Sequence, residues 1–167
     1  MCYNFGMCVK EIADFHCPMV LESFNLKELL TSFQKAERTT LPVVDRAGVL
    51  KGLISLHDLI KNFLPRYIEL IPSLEFLGQT TVLEKRLLAQ IMDPLTCQLF
   101  LVHDVMVKKV VAVKEDDSVF KAMVLMINNN YHHLPVVDEK KVCVAMIDQR
   151  RIILSLFQNF CASPKSP

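Results

Sequence analysis

The chain has 167 residues and a formal net charge of +1, and 51% of its residues are hydrophobic while 22% are charged. This length suits one compact domain or two small ones with a real core, and the composition excludes a predominantly disordered chain. The near-neutral charge and the scattered lysines and arginines argue against a nucleic-acid-binding protein.

Nothing in the sequence indicates a membrane or secreted protein. No stretch approaches the roughly 18 apolar residues that a transmembrane helix requires. The first residues, Met1–Gly6, have neither the basic start nor the apolar core of a secretory signal. The six cysteines are far apart and contain no Cys-x-x-Cys pair. We therefore expect a cytoplasmic protein with reduced thiols rather than a disulfide-bonded one.

The second half of the chain repeats the first half. The pentapeptide Leu-Pro-Val-Val-Asp occupies residues 41–45 and again residues 134–138, an offset of 93 residues (134 − 41). The same offset aligns further residues without a gap: Val9 with Val102, Ile12 with Val105, Val20 with Val113, Glu22 with Glu115, Ile54 with Ile147 and Ile60 with Ile153. Residues of about 9–61 and 102–154 are therefore two copies of one unit.

Each copy predicts the same order of elements, βαββα. Helix-starting residues, Asn25 in one copy and Asp117-Ser118 in the other, precede apolar residues at helical spacing. The Leu-Pro-Val-Val-Asp strand, a turn, another strand and a closing helix follow. The remaining predicted bounds are first strands at 18–21 and 110–113, later strands at 49–54 and 142–147, and closing helices at 56–63 and 149–157. Since a lone unit would expose one face of its sheet, we expect an α/β (α+β) fold of two pseudo-twofold-related units.

A segment of different texture separates the copies. Pro65 and Pro72 interrupt it early, and residues 82–92 carry apolar side chains on one helical face before Asp93-Pro94. We expect a helical insert, either packed beside the repeats or forming an interaction surface. The predicted division is a first domain at 1–64, the insert at 65–101, a second domain at 102–160 and a flexible tail at 161–167.

These motifs resemble a tandem pair of CBS domains, also called a Bateman module. The resemblance rests on Val102-His103-Asp104-Val105-Met106, on the two Leu-Pro-Val-Val-Asp strands and on residues 52–59, Gly-Leu-Ile-Ser-Leu-His-Asp-Leu. It leaves the insert outside and reveals no fused enzyme or channel. It implies a flat disc with two clefts, frequent dimerisation, and binding of adenosine-containing ligands such as AMP, ADP, ATP or S-adenosylmethionine.

The family's ligand motif, Gly-h-x-Ser/Thr-x-x-Asp, matches Gly52, Ser55 and Asp58 in the first copy. Glycine permits close approach of a backbone. A helix start attracts phosphate, and a carboxylate accepts hydrogen bonds from ribose hydroxyls. The same Ser-x-x-Asp spacing also suits a helix cap worth about 1 kcal/mol. Both roles can coexist.

The second copy departs from this motif. Its aligned residues are Ala145, Asp148 and Arg151. Asp148 would repel phosphate, and Arg151 cannot accept a hydrogen bond from ribose. We expect the equivalent cleft to be empty or filled by an Asp148–Arg151 contact, which leaves one competent site per chain.

The resemblance also implies that the second copy contacts phosphate. In CBS pairs similar to the regulatory subunit of AMP-activated kinase, basic residues stand at the positions of His132, His133 and Arg150. These residues would reach the phosphates of a nucleotide held by the other copy, in a mixed cleft. The alternative is an ordinary polar loop. If the two histidines lie in extended chain, they point to opposite faces, so only one would face the ligand.

Pro18, Met19 and Val20 occupy the stretch that walls the adenine pocket in the family. An ordinary place in the core is the alternative for each of them.

The leading functional hypothesis is a regulatory module that senses an adenine nucleotide, forms a homodimer and acts on a target protein. The alternative is a ligand-free CBS scaffold for dimerisation or docking. We expect no enzyme, no catalytic residues and no metal site, because no nucleophile–base pair, metal cluster or Gly-rich phosphate loop stands out in the sequence. Ser55, His57 and Asp58 fall within one helical turn, unlike a catalytic triad.

Overall fold

The structure is a computed structural model that describes residues 7–36, 38–63, 85 and 99–160. The predicted insert helix at 82–92 and the predicted tail at 161–167 lie outside these residues. The first repeat contains α1 (Val9–Ile12), β1 (Val20–Leu21), α2 (Leu26–Ala36), β2 (Thr40–Val44), β3 (Leu50–Ser55) and α3 (Leu56–Phe63). The second contains α4 (Val102–Val105), β4 (Val113–Lys114), α5 (Val119–Asn129), β5 (His133–Val137), β6 (Cys143–Asp148) and α6 (Gln149–Phe160).

The chain divides into two compact units. One consists of residues 18–45 and 51–108, and is called the first-repeat unit here. The other, the second-repeat unit, consists of residues 1–17, 46–50 and 109–167. Each unit therefore contains most of one repeat together with the short helix that begins the other repeat.

The two sheets have the same topology. Their strand orders are β1-β2-β3 and β4-β5-β6. In the first sheet β1 runs parallel to β2 with Val20 opposite Val43, and in the second β4 runs parallel to β5 with Val113 opposite Val136. Val113 and Val136 lie 93 residues after Val20 and Val43, which is the offset of the sequence repeat. The first two strands of each sheet are therefore paired in the same register. The βαββα units and the α/β (α+β) fold are confirmed.

The short helices α1 and α4 were not predicted as elements of the repeat. Four residues are too few to form a stable helix alone, so packing must hold them. Val9 and Val102 are aligned by the repeat, and both are fully buried. Val9 lies in the core of the second-repeat unit and Val102 in that of the first-repeat unit. The valine that the two repeats share at this position is therefore a core residue in both units.

The first strands are shorter than predicted. The segment expected at 18–21 forms a strand only at Val20–Leu21, and the one expected at 110–113 forms a strand only at Val113–Lys114. Pro18 has no N–H to donate to a neighbouring strand, which disfavours pairing at that end. At the other end of the unit, α6 extends past the predicted end at Phe157 to Phe160.

One described cysteine departs from the expectation that all thiols are reduced. Cys8 is disulfide-bonded. Cys17 and Cys143 are buried and not disulfide-bonded. Burial raises the pKa of the Cys143 thiol to about 12, with a smaller contribution from nearby Cys17. A thiol with such a pKa stays neutral at physiological pH and is a poor nucleophile.

Candidate site at the start of helix α3

The sequence motif lies where a strand passes directly into a helix. Strand β3 ends at Ser55 and α3 begins at Leu56, so no loop intervenes. Ile54 is buried in the core, while Ser55 and Asp58 are half-buried. The motif is therefore at the strand end and first helical turn, as the sequence predicts.

Ser55 and Asp58 form a reciprocal helix cap. The Ser55 N–H and hydroxyl both donate to Asp58 Oδ2, at 2.9 and 2.5 Å. In return the Asp58 N–H donates to Ser55 Oγ at 3.1 Å. The cap expected as an alternative to ligand contact is present, and such an arrangement stabilises a helix by about 1 kcal/mol.

The cap leaves two polar groups of this turn available. Among the described residues, none donates a hydrogen bond to Asp58 Oδ1, because the cap uses only Oδ2. The Leu56 N–H donates to Thr39 O at 2.9 Å, but the His57 N–H has no acceptor in the described part of the chain. The turn therefore offers a ligand one carboxylate oxygen, Asp58 Oδ1, and one main-chain donor, the N–H of the adjacent residue His57.

The His57 main-chain N–H belongs to the helix start that the sequence predicts as attractive to phosphate. The motif specifies only Gly52, Ser55 and Asp58, so it does not distinguish between the two residues that separate Ser55 from Asp58. The donor follows from the position of His57 as the second residue of α3, because the N–H of that residue has no intrahelical acceptor.

Gly52 has a structural role that the sequence did not indicate. A Cβ atom at this buried position would lie 2.7 Å from the carbonyl oxygen of Val107 and 3.0 Å from Met106 Sδ. Val107 approaches because its main chain pairs with Leu53 through hydrogen bonds of 2.8 and 3.1 Å. By lacking a side chain, Gly52 thus lets the chain's own segment 106–107 approach closely.

The predicted adenine-wall residues differ in their surroundings. Val20 is fully buried and belongs to the core of the first-repeat unit. Pro18 and Met19 are half-buried immediately before β1. The core alternative thus describes the Val20 side chain, while Pro18 and Met19 retain exposed surface.

The second repeat fills the corresponding turn with its own side chains. The Arg151 N–H donates to Asp148 Oδ1 at 2.8 Å, and the guanidinium Nε lies 3.9 Å from Asp148 Oδ2. The guanidinium also lies 3.3 Å from Asp14 Oδ2 and donates to Ile12 O at 3.4 Å. The predicted Asp148–Arg151 contact is confirmed. The position equivalent to Asp58 therefore holds a cation that is already paired.

The predicted phosphate-contacting residues share one edge of the second-repeat unit. His132 is exposed, with Nδ1 3.1 Å from Gln149 Oε1, and its carbonyl accepts from the Gln149 N–H at 3.2 Å. His133 begins β5 opposite Asp148. Arg150 is exposed in the first turn of α6 and forms no ion pair with the residues that the structure describes. Whether they share a ligand with Ser55 and Asp58 stays a prediction.

The described residues contain neither a metal-binding cluster nor a membrane-spanning helix. No group of three or more His, Cys, Asp or Glu side chains among them is placed to hold a metal ion. None of the helices in that part of the chain has the length and apolarity needed to cross a membrane.

Comparison with known proteins decides the family. The family model described as "CBS domain" matches residues 9–65 and again residues 102–157. The chain belongs to the CBS domain family. It contains a tandem pair of CBS domains, in agreement with the duplicated sheets.

The CBS pair has relatives of similar length. An uncharacterized protein of Methanocaldococcus jannaschii is 29% identical over 145 residues, which are 83% of this chain and 84% of that protein. CBSX2 of Arabidopsis thaliana, crystallised in complex with AMP, has 19% identity and a TM-score of 0.66 over 92% of this chain and 98% of its own. The chain spans only 48% of a longer solved protein of M. jannaschii, MJ1225, with 20% identity and a TM-score of 0.67 over 90% of this chain.

The packing at Gly52 predicts that Gly52→Ala destabilises the protein. The added methyl would clash with the Val107 carbonyl, and relieving such overpacking typically costs about 1–3 kcal/mol. Urea denaturation measures the free energy of unfolding. Ala145→Gly at the aligned, buried position is the matched control, because the second repeat already holds a methyl there. A Gly52→Ala variant as stable as the parent would contradict this account.

Proposed function

We propose that this CBS pair binds an adenosine-containing nucleotide of the AMP, ADP or ATP type at the start of α3, and that binding regulates a partner protein. The observation that carries the proposal is that the two oxygens of the Asp58 carboxylate are used differently, which we call the divided use of Asp58. Oδ2 accepts the hydrogen bonds of the helix cap, and no described residue donates a hydrogen bond to Oδ1. The AMP complex of CBSX2, a protein of the same fold, supports this ligand class.

The chemistry of the turn suits a ribose joined to phosphate. A carboxylate oxygen accepts strongly from ribose hydroxyls. The capping hydrogen bonds fix the Asp58 rotamer before a ligand arrives, so binding has less side-chain entropy to lose. The His57 N–H at the positive end of the α3 dipole is a donor for a phosphate oxygen. Ser55 Oγ already donates to Asp58, so it would serve the ligand only as an acceptor or by breaking that bond.

The two repeats would contribute differently. Arg151 is a paired cation at the position of Asp58, so we propose one nucleotide per chain rather than two. We propose that His132, His133 and Arg150 supply phosphate contacts to that nucleotide. Arg150 is the strongest of these candidates, since it is exposed and forms no ion pair among the described residues.

The wider proposal is a regulatory role without catalysis. We propose that the chain works in the cytoplasm as a homodimer and acts on a separate target protein. A ligand-free scaffold is the second candidate, and the exposed apolar side chains of α5 and α6 favour it. Ligand-induced stabilisation separates the two candidates.

The divided use of Asp58 predicts a specific effect of Asp58→Asn. The amide oxygen can keep the cap while the amide nitrogen removes the free acceptor, so the variant should fold but lose nucleotide-induced stabilisation. A ligand at 100 times its dissociation constant stabilises by about 2.7 kcal/mol, which is roughly 5–10 °C for a chain of this size. Thermal-shift assays with AMP, ADP, ATP, S-adenosylmethionine, NADH and cyclic dinucleotides measure this.

The matched control is Glu28→Gln, which alters the same kind of cap at the start of α2. There the Asn25 N–H donates to Glu28 Oε2 at 2.8 Å, and the Glu28 N–H donates to Asn25 Oδ1 at 3.0 Å. This variant should keep the full nucleotide shift. No shift with any compound, or an equal shift in Asp58→Asn and the parent, would favour the scaffold.

The proposed phosphate contacts predict a loss that depends on phosphate. A charge-assisted hydrogen bond contributes about 1.5–3 kcal/mol, so Arg150→Gln should weaken AMP or ATP binding by roughly 10- to 100-fold. Adenosine affinity should stay unchanged. Calorimetry on Arg150→Gln, His132→Ala and His133→Ala measures both affinities, with exposed Lys140→Gln as the control. Equal losses for adenosine and AMP, or none for either, would refute these contacts.

A further inference from the structure

Gln149, the first residue of α6, holds the segment that carries His132 through three hydrogen bonds. Its main-chain N–H donates to the His132 carbonyl at 3.2 Å. Its side-chain Nε2 donates to the Tyr131 carbonyl at 3.1 Å, and its Oε1 lies 3.1 Å from His132 Nδ1. Both ends of the Gln149 amide are therefore engaged by the two residues that precede β5.

The contact with Tyr131 decides which nitrogen of His132 carries a hydrogen. A carbonyl oxygen only accepts, so the Tyr131 carbonyl requires the amide nitrogen of Gln149 and leaves Oε1 facing the ring. Because Oε1 also only accepts, His132 Nδ1 must donate to it. A neutral His132 is therefore the Nδ1–H tautomer, with its lone pair on Nε2.

The other ring nitrogen, Nε2, is left for a ligand. The His132 side chain is exposed, and no residue in the described part of the chain forms a hydrogen bond or ion pair with Nε2. The hydrogen bond at Nδ1 is the same for the neutral and the protonated ring, so a proton added at Nε2 leaves the imidazole in the same orientation. A protonated Nε2 donates to a phosphate oxygen, whereas a neutral one only accepts.

The first repeat keeps the main-chain half of this arrangement and lacks the side-chain half. The repeat offset aligns His132 with Thr39 and Gln149 with Leu56. The Leu56 N–H donates to the Thr39 carbonyl at 2.9 Å, as the Gln149 N–H does to His132. Leucine has no polar group with which to hold a neighbouring side chain. The fold therefore forms this turn without a side-chain amide, and the amide occurs in the repeat that has the imidazole.

The charged and titratable groups around His132 leave its ring without an ion pair among the described residues. Residues 128–131, which precede it, are uncharged at neutral pH. The next residue, His133, lies opposite Asp148 in the sheet, and that carboxylate is already paired with an arginine of α6. Arg150, next to Gln149, is exposed. No carboxylate in the described part of the chain thus competes with a bound anion for the ring.

We propose that Gln149 is a positioning residue, which holds His132 in the Nδ1–H tautomer and presents Nε2 to the phosphate of the nucleotide. The proposal rests on the proposed function, because it acts through the phosphate contact of His132. An imidazole that is oriented before the ligand arrives has less freedom to lose on binding. Removing the Gln149 amide should therefore weaken the binding of a phosphorylated ligand while the protein stays folded.

Nuclear magnetic resonance of the imidazole ¹⁵N nuclei measures the tautomer. In the parent, under conditions where the ring is neutral, His132 should have a protonated Nδ1 and an unprotonated Nε2. Gln149→Leu introduces the residue of the first repeat and should release the ring to the Nε2–H form, which an imidazole without such a partner prefers in water. Gln149→Glu keeps an acceptor for Nδ1 and should keep the parent signature.

His103 is the internal control in the same spectra. Its Nδ1 lies 3.3 Å from Glu22 Oε2 and its Nε2 lies 3.1 Å from Lys108 Nζ, so its signature should not respond to changes at Gln149. Circular dichroism confirms that each variant is folded. Should Gln149→Leu unfold, Gln149→Ala removes the same amide without adding apolar surface and decides the question.

Calorimetry tests whether the positioning serves the ligand. Gln149→Leu should weaken AMP binding by about 2- to 10-fold, the contribution of one hydrogen bond, and leave adenosine binding unchanged. In a His132→Ala background the same change should have no further effect, since a positioning residue acts only through the ring.

Four results overturn the proposal: a parent in the Nε2–H form, a Gln149→Leu variant that keeps the parent signature, an equal loss for adenosine and AMP, or additive losses in the double variant. A parent that shows the expected signature and binds no AMP refutes the proposed nucleotide instead, and leaves the hold of Gln149 on His132 standing.

Discussion

The start of the closing helix in each repeat depends on one carboxylate that accepts a hydrogen bond from a main-chain N–H. In the first repeat the acid is Asp58, inside the first turn, and it accepts from Ser55 before the helix. In the second repeat the acid is Asp148, before the helix, and it accepts from Arg151 inside the first turn. Both arrangements satisfy helix N–H groups, so exchanging them costs the fold little.

This exchange changes what the turn can offer a ligand. With the acid inside the turn, Oδ2 completes the cap and Oδ1 is left for another donor. With the acid before the turn, an arginine occupies the inner position and is held by Asp148 and Asp14. Duplication followed by this change would give two units of the same fold, of which one keeps a carboxylate oxygen that no described residue uses.

The same contrast separates the outer surfaces of the two repeats. Polar residues of α2 stand where α5 carries Phe120 and Ile127. Among the described residues, the repeat whose helix start holds Arg151 is also the one that exposes Phe120, Ile127 and Phe157.

Much of this could be predicted from sequence because the duplication supplied an internal comparison. The offset of 93 residues located the strands and closing helices, and it pointed to Asp148 and Arg151 as an altered site. The strand register and the Asp148–Arg151 contact follow that prediction. Local pattern and repeat spacing are sufficient where an element is defined by its own residues.

The remaining features depend on residues distant in the sequence. Helices α1 and α4 are too short to give a periodic signal and are held by the burial of Val9 and Val102. Gly52 was expected at a ligand, and the structure adds a close neighbour that no sequence pattern indicates, the carbonyl of Val107, 55 residues away (107 − 52). The helix start was predicted to attract phosphate, but only the structure shows that Thr39 takes the Leu56 N–H while no described residue accepts from the His57 N–H.

The binding stoichiometry tests the central claim most directly. Isothermal titration of the full chain with the nucleotide that stabilises it should give one site per chain, and Asp58→Asn should abolish that site. Two equivalent sites per chain, or one site that survives Asp58→Asn, would contradict the assignment of ribose recognition to the first repeat alone.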